Sequence, residues 1–180
     1  MPENNLQKAT FAGGCFWCTE AIFKRLKGVR SVMSGYAGGA VENPSYEEVS
    51  SGETGHAEAT QIIFDPLITP YDKLLKIYWA SIDPTTLNRQ GNDVGSQYRS
   101  VIFYHDEAQK TAAEKSRAEL AASGKYSAPI VTAIEPFANF YPAEDYHRDY
   151  YDLHKDDSYS RAVIAPKIKK LEEHFAADLK

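Results

Sequence analysis

The sequence predicts an α+β fold, a two-layer sandwich in which helices cover a mixed sheet. About five short segments rich in β-formers alternate with helical patterns, and no glycine-rich nucleotide fingerprint accompanies them. The 180 residues, 43% hydrophobic and 25% charged, suffice for one substantial core. No repeat, low-complexity tract or linker divides them. The expectation is one domain over 1–180, with about 8–155 as its core and 156–180 as a C-terminal extension and helix. A net charge of −5 without a basic cluster argues against a nucleic-acid partner. No apolar run is long enough to span a bilayer, and Met1-Pro2-Glu3-Asn4-Asn5 has neither the basic nor the apolar part of a leader. The cytoplasm is therefore the expected compartment.

Taken in order, Lys8 to Phe11 has the bulk of a short strand and Gly13-Gly14 a sharp turn. Thr19 to Lys27 then carries Ile22, Phe23 and Leu26 at helical spacing before Gly28 stops it. Val29 to Tyr36 reads as a strand broken by Ala37-Gly38-Gly39, and Glu42 to Gly52 as a turn with one helical turn in it. Next comes the strand Thr60 to Phe64, where Glu58 shares a face with Thr60, Ile62 and Phe64. Thr69-Pro70-Tyr71-Asp72 is a helix start with Thr69 as cap and Asp72 completing a capping box; the apolar stripe runs on to Trp79. Asp83 to Tyr98 is a polar segment too long for a mere connector, and it leads into a strand, Arg99 to Tyr104, expected at the centre of the sheet. Asp106 to Ser123 is an amphipathic helix ended by Gly124, with Gln109 in the capping-box position. Ile130 to Ile134 is β-branched, Glu135 to Tyr141 aromatic, and Pro166 to Leu179 a closing helix.

Both cysteines lie in Gly13-Gly14-Cys15-Phe16-Trp17-Cys18. Cys15 falls at or just before a helix N-terminus, where unpaired N–H groups and the helix dipole favour a thiolate. Cys18 is one turn further on, near enough to capture an oxidised Cys15 as a disulfide. Three other readings stand beside this one: inert buried thiols, a zinc site, and a thioredoxin-type disulfide exchanger. The histidine spacings do not match a zinc knuckle, and bulky Phe16-Trp17 suits a small hydrophobic pocket better than a docking loop. An inward Glu58 would have a raised pKa and act as a proton donor; at a strand edge it would only face solvent. Asp93 and Tyr98 are placed to hydrogen-bond a ligand, or merely to satisfy their own turn.

The run Gly14-Cys15-Phe16-Trp17-Cys18 resembles the signature of the peptide-methionine (S)-S-oxide reductases, which repair methionine sulfoxide. Asn43-Pro44-Ser45-Tyr46, Gly55-His56-Ala57-Glu58, and Gly91-Asn92-Asp93 through Tyr98-Arg99-Ser100 extend the match, and Ala143-Glu144-Asp145-Tyr146-His147 resembles a further family segment. Separated motifs in one order are far more specific than any one alone. The resemblance implies a ferredoxin-like core with wrapping loops. It implies attack by Cys15 on the sulfoxide sulfur, a proton from Glu58, Tyr46 and Tyr98 on the oxygen, and Asp93 ordering the polar side. Phe16 and Trp17 would enclose the methyl group, while His147 is structural or lines the substrate. Oxidised proteins and free methionine sulfoxide would be substrates, with no bound cofactor and no metal. A monomer recycled by thioredoxin or another dithiol is expected. The sequence departs from the family where many members carry C-terminal resolving cysteines: Tyr159-Ser160 stands at the matching position, so Cys18 or an outside thiol must resolve the sulfenic acid. A disulfide oxidoreductase and a non-catalytic peptide-binding module remain the alternatives.

Overall fold

A six-stranded mixed sheet organises the computed structural model, which describes residues 5–180. The reading of Met1-Pro2-Glu3-Asn4 as lacking a leader falls outside them. Among the described residues, no helix is long and apolar enough to cross a membrane. The sheet contains β1 (Gln7–Ala12), β2 (Val29–Ala37), β3 (Ala57–Phe64), β6 (Val101–Tyr104), β7 (Ala133–Pro136) and β8 (Phe140–Pro142), in the order β7-β6-β1-β3-β2-β8. A separate small hairpin joins β4 (Arg89–Gln90) to β5 (Asp93–Val94). Among the described strands only β6 and β7 pair in parallel. With α1 (Phe16–Phe23) and α3 (Tyr71–Ser81), the order β6-β1-β3-β2 is the split βαβ arrangement of a ferredoxin-like core. The α+β two-layer expectation holds.

Strand alternation decides which face meets the helices. Phe11, Ile62 and Phe64 pack against Ile22 and Phe23 of α1 and Leu74, Ile77 and Tyr78 of α3. Phe11 stacks on Tyr78 with ring centroids 5.0 Å apart. Small residues, Ala12, Ala37, Ala57 and Ala59, line the opposite face under Phe103, Phe137 and Phe140. Glu58 thus shares the helix-facing side with Ile62, as its parity requires.

Several boundaries move. The first helix covers Phe16–Phe23 rather than Thr19 to Lys27, because Leu26 reaches the core from a turn and bridges Leu179. Gly28, at φ +79°, then turns the chain into β2. Pro70, not Thr69, stands at the cap of α3; the Thr69 hydroxyl donates to the Lys27 carbonyl instead. Asp106 caps α4 (Glu107–Ala122) as expected, but the Gln109 carboxamide accepts from the His105 amide. β6 lies one strand in from the edge, and the central pair is β1 with β3. Strand β7 starts late because Val131 is diverted to the Pro84 carbonyl, 2.7 Å away. The aromatic stretch that follows contributes the edge strand β8. The closing helix is α6 (Ala165–Phe175), preceded by a π-helical turn at Ser160–Ile164.

The segment between β8 and α6, with α5 (Tyr150–Leu153) in it, crosses the outside of α1. Lys24 pairs with Asp149 at 2.5 Å and Asp152 at 2.6 Å, and Arg25 with Asp152 at 2.6 Å. The Asp149 amide donates to buried Glu20 Oε1 at 2.6 Å. The ion pairs are half-exposed and worth little singly; the bond to Glu20 fixes the crossing.

Candidate active site

The site is set by the turn out of β1. Gly14 adopts φ +76°, and its amide donates to the Tyr98 carbonyl at 3.1 Å. A Cβ there would stand 3.0 Å from the Cβ of buried Gln90, so only glycine lets the 83–98 loop close on this turn. Cys15 follows as the residue capping α1, 8% exposed, with Cys18 at 1%. Both are free thiols, and the Cys18 amide donates to the Cys15 carbonyl at 3.1 Å.

At Cys15 burial outweighs the helix terminus, whose Trp17 amide, with the Tyr159 hydroxyl, favours the thiolate as the sequence suggests. Burial pushes its pKa well up, and the charges of Glu58 and Cys18 add to the effect. The first helical amide, that of Phe16, is engaged by Glu58 Oε1 at 3.2 Å, so it is not free to hold a sulfur anion.

Glu58 is 2% exposed, which excludes the solvent-facing alternative. Burial raises its pKa to about 8, with the Asp93 charge adding and the Phe16 amide opposing. At neutral pH this carboxyl mostly retains its proton. Tyr46 opens α2 (Tyr46–Ser50), a single turn capped by Ser45 with a complete capping box to Glu48. Tyr98 ends a 3-10 turn after the β4–β5 hairpin, whose Asp93 is half-buried. Burial, then the charge of Glu58, raises both phenols, with Cys15 and Asp93 also contributing. These five groups therefore form one electrostatically coupled cluster.

The aromatic residues take different depths. Phe16 is fully buried between Tyr36 and His147, at centroid distances of 5.8 and 5.0 Å, and it backs the wall rather than facing it. Trp17 is half-buried and stacks on Tyr150, centroids 3.6 Å apart at 6°. Its indole N–H donates to His147 Nδ1 at 3.0 Å, so His147 is a structural acceptor, and burial lowers its pKa.

Three features of the site escape sequence reasoning. Glu144 accepts from the Tyr36 hydroxyl at 2.9 Å and the Tyr46 amide at 3.0 Å, holding α2 against the wall. Gln90 closes the 83–98 loop by accepting from the Asp83 amide and donating to its carbonyl, at 2.8 and 2.6 Å. Tyr159 donates to Asp93 Oδ2 at 2.8 Å while its oxygen faces Cys18 Sγ at 3.8 Å. The signal for Tyr159 was its place beside Ser160; attention to the missing cysteine hides the tyrosine. A cleft of about 840 Å³ opens from Asp93 and Tyr159 toward Ile77, Ile82 and Lys167.

Other motif residues brace this assembly. His56 accepts from the Gly39 amide at 3.0 Å through Nδ1, and its Nε2 lies 2.7 Å from the Val41 carbonyl. Arg99 donates to the Gly55 and Ser96 carbonyls at 2.9 and 3.0 Å.

Over residues 7–179 the sequence matches the family model described as peptide methionine sulfoxide reductase. The chain belongs to that family. It is 56% identical to the peptide methionine sulfoxide reductase MsrA of Sulfolobus acidocaldarius over 94% of this chain and 96% of that one. The solved structure of reduced Mxr1 from Saccharomyces cerevisiae superposes with a TM-score of 0.76 at 34% identity, covering 86% of this chain and 88% of the yeast one. Methionine sulfoxide reductase A of Corynebacterium diphtheriae gives a TM-score of 0.74 at 33% identity, covering 83% and 76%. The chain is thus an oxidoreductase with its two cysteines on one helical turn.

Proposed function

We propose that the chain is a single catalytic domain, active as a monomer, that reduces methionine S-sulfoxide, free or in oxidised proteins, through Cys15. The activity is thiol-dependent reduction of methionine sulfoxide. The observation that carries the assignment of roles is the buried Glu58 carboxyl reaching the Phe16 amide one residue from Cys15, in surroundings that raise its pKa to about 8.

Cys15 attacks the sulfoxide sulfur while Glu58 gives its proton to the oxygen and the thiol proton restores Glu58. The oxygen passes to the Cys15 sulfur, leaving methionine and a sulfenic acid. Two hydroxyls, Tyr46 and Tyr98, hydrogen-bond the oxygen, Asp93 orders the polar side, and Trp17 backed by Phe16 receives the methyl group. Cys18 then condenses with the sulfenic acid, and the resulting disulfide takes two electrons from thioredoxin or another dithiol. The S preference rests on the family resemblance; the cytoplasm suits the free thiols.

A single turnover without reductant tests this reading. Reduced protein mixed with racemic peptidyl methionine sulfoxide should give about one methionine per chain, leave the R epimer, and lose two hydrogens in intact mass. Methionine without the mass change would pass the resolving step to an outside thiol. No methionine would leave disulfide exchange as the activity.

A further inference from the structure

We propose that Tyr159 is a catalytic residue of the resolving step, carrying the Cys18 proton to Asp93 as Cys18 attacks oxidised Cys15. The inference rests on the reading of Cys18 as the resolving thiol and goes beyond it. A phenol has one hydrogen, and that of Tyr159 is donated to Asp93 Oδ2 at 2.8 Å. Its contact with Cys18 Sγ, 3.8 Å away, therefore has the thiol as donor. The result is a directed chain, Cys18 S–H to Tyr159 O–H to the Asp93 carboxylate, whose last link joins residues 66 positions apart in sequence.

The chain answers a need created by burial. Cys18 is 1% exposed, so its proton has almost no direct contact with bulk water. Burial raises the Cys18 thiol, opposed by Lys167 and by Tyr159 itself, while Asp93 and Glu58 add to the rise. The groups facing Cys18 are therefore Cys15 and Glu58 on the substrate side, Asp93 and Tyr159 on the loop side, and Lys167 of α6. Tyr159 is raised far above the ordinary phenol value, first by burial, so it relays a proton and stores none.

The step balances. The Cys18 sulfur forms a bond to the Cys15 sulfur as the Cys15 S–O bond breaks. The Cys18 proton moves to the Tyr159 oxygen and the Tyr159 proton to Asp93. The departing hydroxide takes the Glu58 proton and leaves as water. Cys18 is oxidised and the sulfenic sulfur is reduced; Asp93 then gives up its proton and Glu58 regains one through solvent, so the net reaction is sulfenic acid plus thiol giving disulfide plus water.

The test separates the two steps in the full-length chain and in its Tyr159→Phe variant, which keeps the ring that packs edge-on to Trp17. Cys15 sulfenic acid is generated in parallel by methionine sulfoxide and by one equivalent of hydrogen peroxide. Its lifetime is read by dimedone trapping, and disulfide formation by intact mass between pH 6 and 8. In Tyr159→Phe the ratio of the disulfide rate to the sulfenic-acid rate should fall about 100-fold. The disulfide rate should also climb about tenfold per pH unit, since Cys18 must now ionise to solvent, whereas the parent profile stays nearly flat. An unchanged ratio with parallel profiles overturns the proposal. Should the variant not fold, the parent decides: slower disulfide formation in heavy water supports the relay, and an equal rate overturns it. Failure with sulfoxide alone, while peroxide still yields the disulfide, sinks the reductase reading and leaves the relay standing.

Discussion

Glu58 keeps its proton because β3 turns it toward α1, where burial penalises the anion more than the Phe16 amide stabilises it. Replacement by Gln should slow methionine formation about 100-fold or more in single turnover and leave Cys15 alkylatable by iodoacetamide; full activity would remove Glu58 from the mechanism. In the parent, kcat/KM should decline above about pH 8 as this donor ionises. Stability carries the same signature. Between the ordinary glutamate range and about 8, the folded protein holds a proton that the unfolded chain has released, so stability is full below that range and is lost as pH rises through about 8. The loss is about 1.4 kcal/mol per unit of difference. Urea melts of the reduced protein at pH 5 and pH 8.5 should show it, and Glu58→Gln should flatten it; equal slopes would mean that the carboxyl is not held in its neutral form. At Cys18, substitution by Ser should leave one methionine per chain with a trappable sulfenic acid and slow thioredoxin-driven cycling. Unchanged cycling would return Cys18 to packing alone.

At the scale of elements, the strand-to-helix turn into α1 is where sequence is most informative. The Gly13-Gly14 pair and the following aromatics are local signals that place Cys15 and Cys18 before any long-range contact is known, whereas strand parity leaves Glu58 either inward or at a solvent edge and only the family resemblance chooses the inward reading. The turn makes its own prediction. Gly14→Ala would force a left-handed backbone on a residue with a Cβ, at about 1–2 kcal/mol, against a Gln90 side chain held at both ends by Asp83. Calorimetry should find Tm lower by about 2–8 °C. An unchanged Tm would mean the hairpin side of the site yields easily. Less legible were the ends of elements governed by distant partners. Thr69 has the chemistry of a cap, but Lys27 offers its carbonyl; Leu26 keeps helical spacing outside a helix because Leu179 packs there.

For the whole molecule, the alternation of strands and helices conveyed the two-layer class, while the edge strands and the tail crossing depended on contacts that no local pattern encodes. The Trp17–His147 bond spans 130 positions and the Asp149–Glu20 bond 129. In sequence the residues between 144 and 159 show only a family-like segment around His147 and a missing cysteine beside Tyr159; folded, they supply Glu144, His147, Tyr150 and Tyr159 to the site. That crossing also fixes what the molecule looks like from outside during its cycle. On the proposed route both cysteines belong to a single helical turn and the tail is tied down to α1 by Glu20 and the Lys24 and Arg25 ion pairs, so the disulfide would form without the tail having to travel. Deuterium uptake across residues 150–164 should therefore be the same in the reduced and the oxidised protein, and a burst of faster exchange upon oxidation would show that the tail swings. A reductant would then meet the same tail surface on either form and would have to reach sulfurs that lie beneath it, at 8% and 1% exposure.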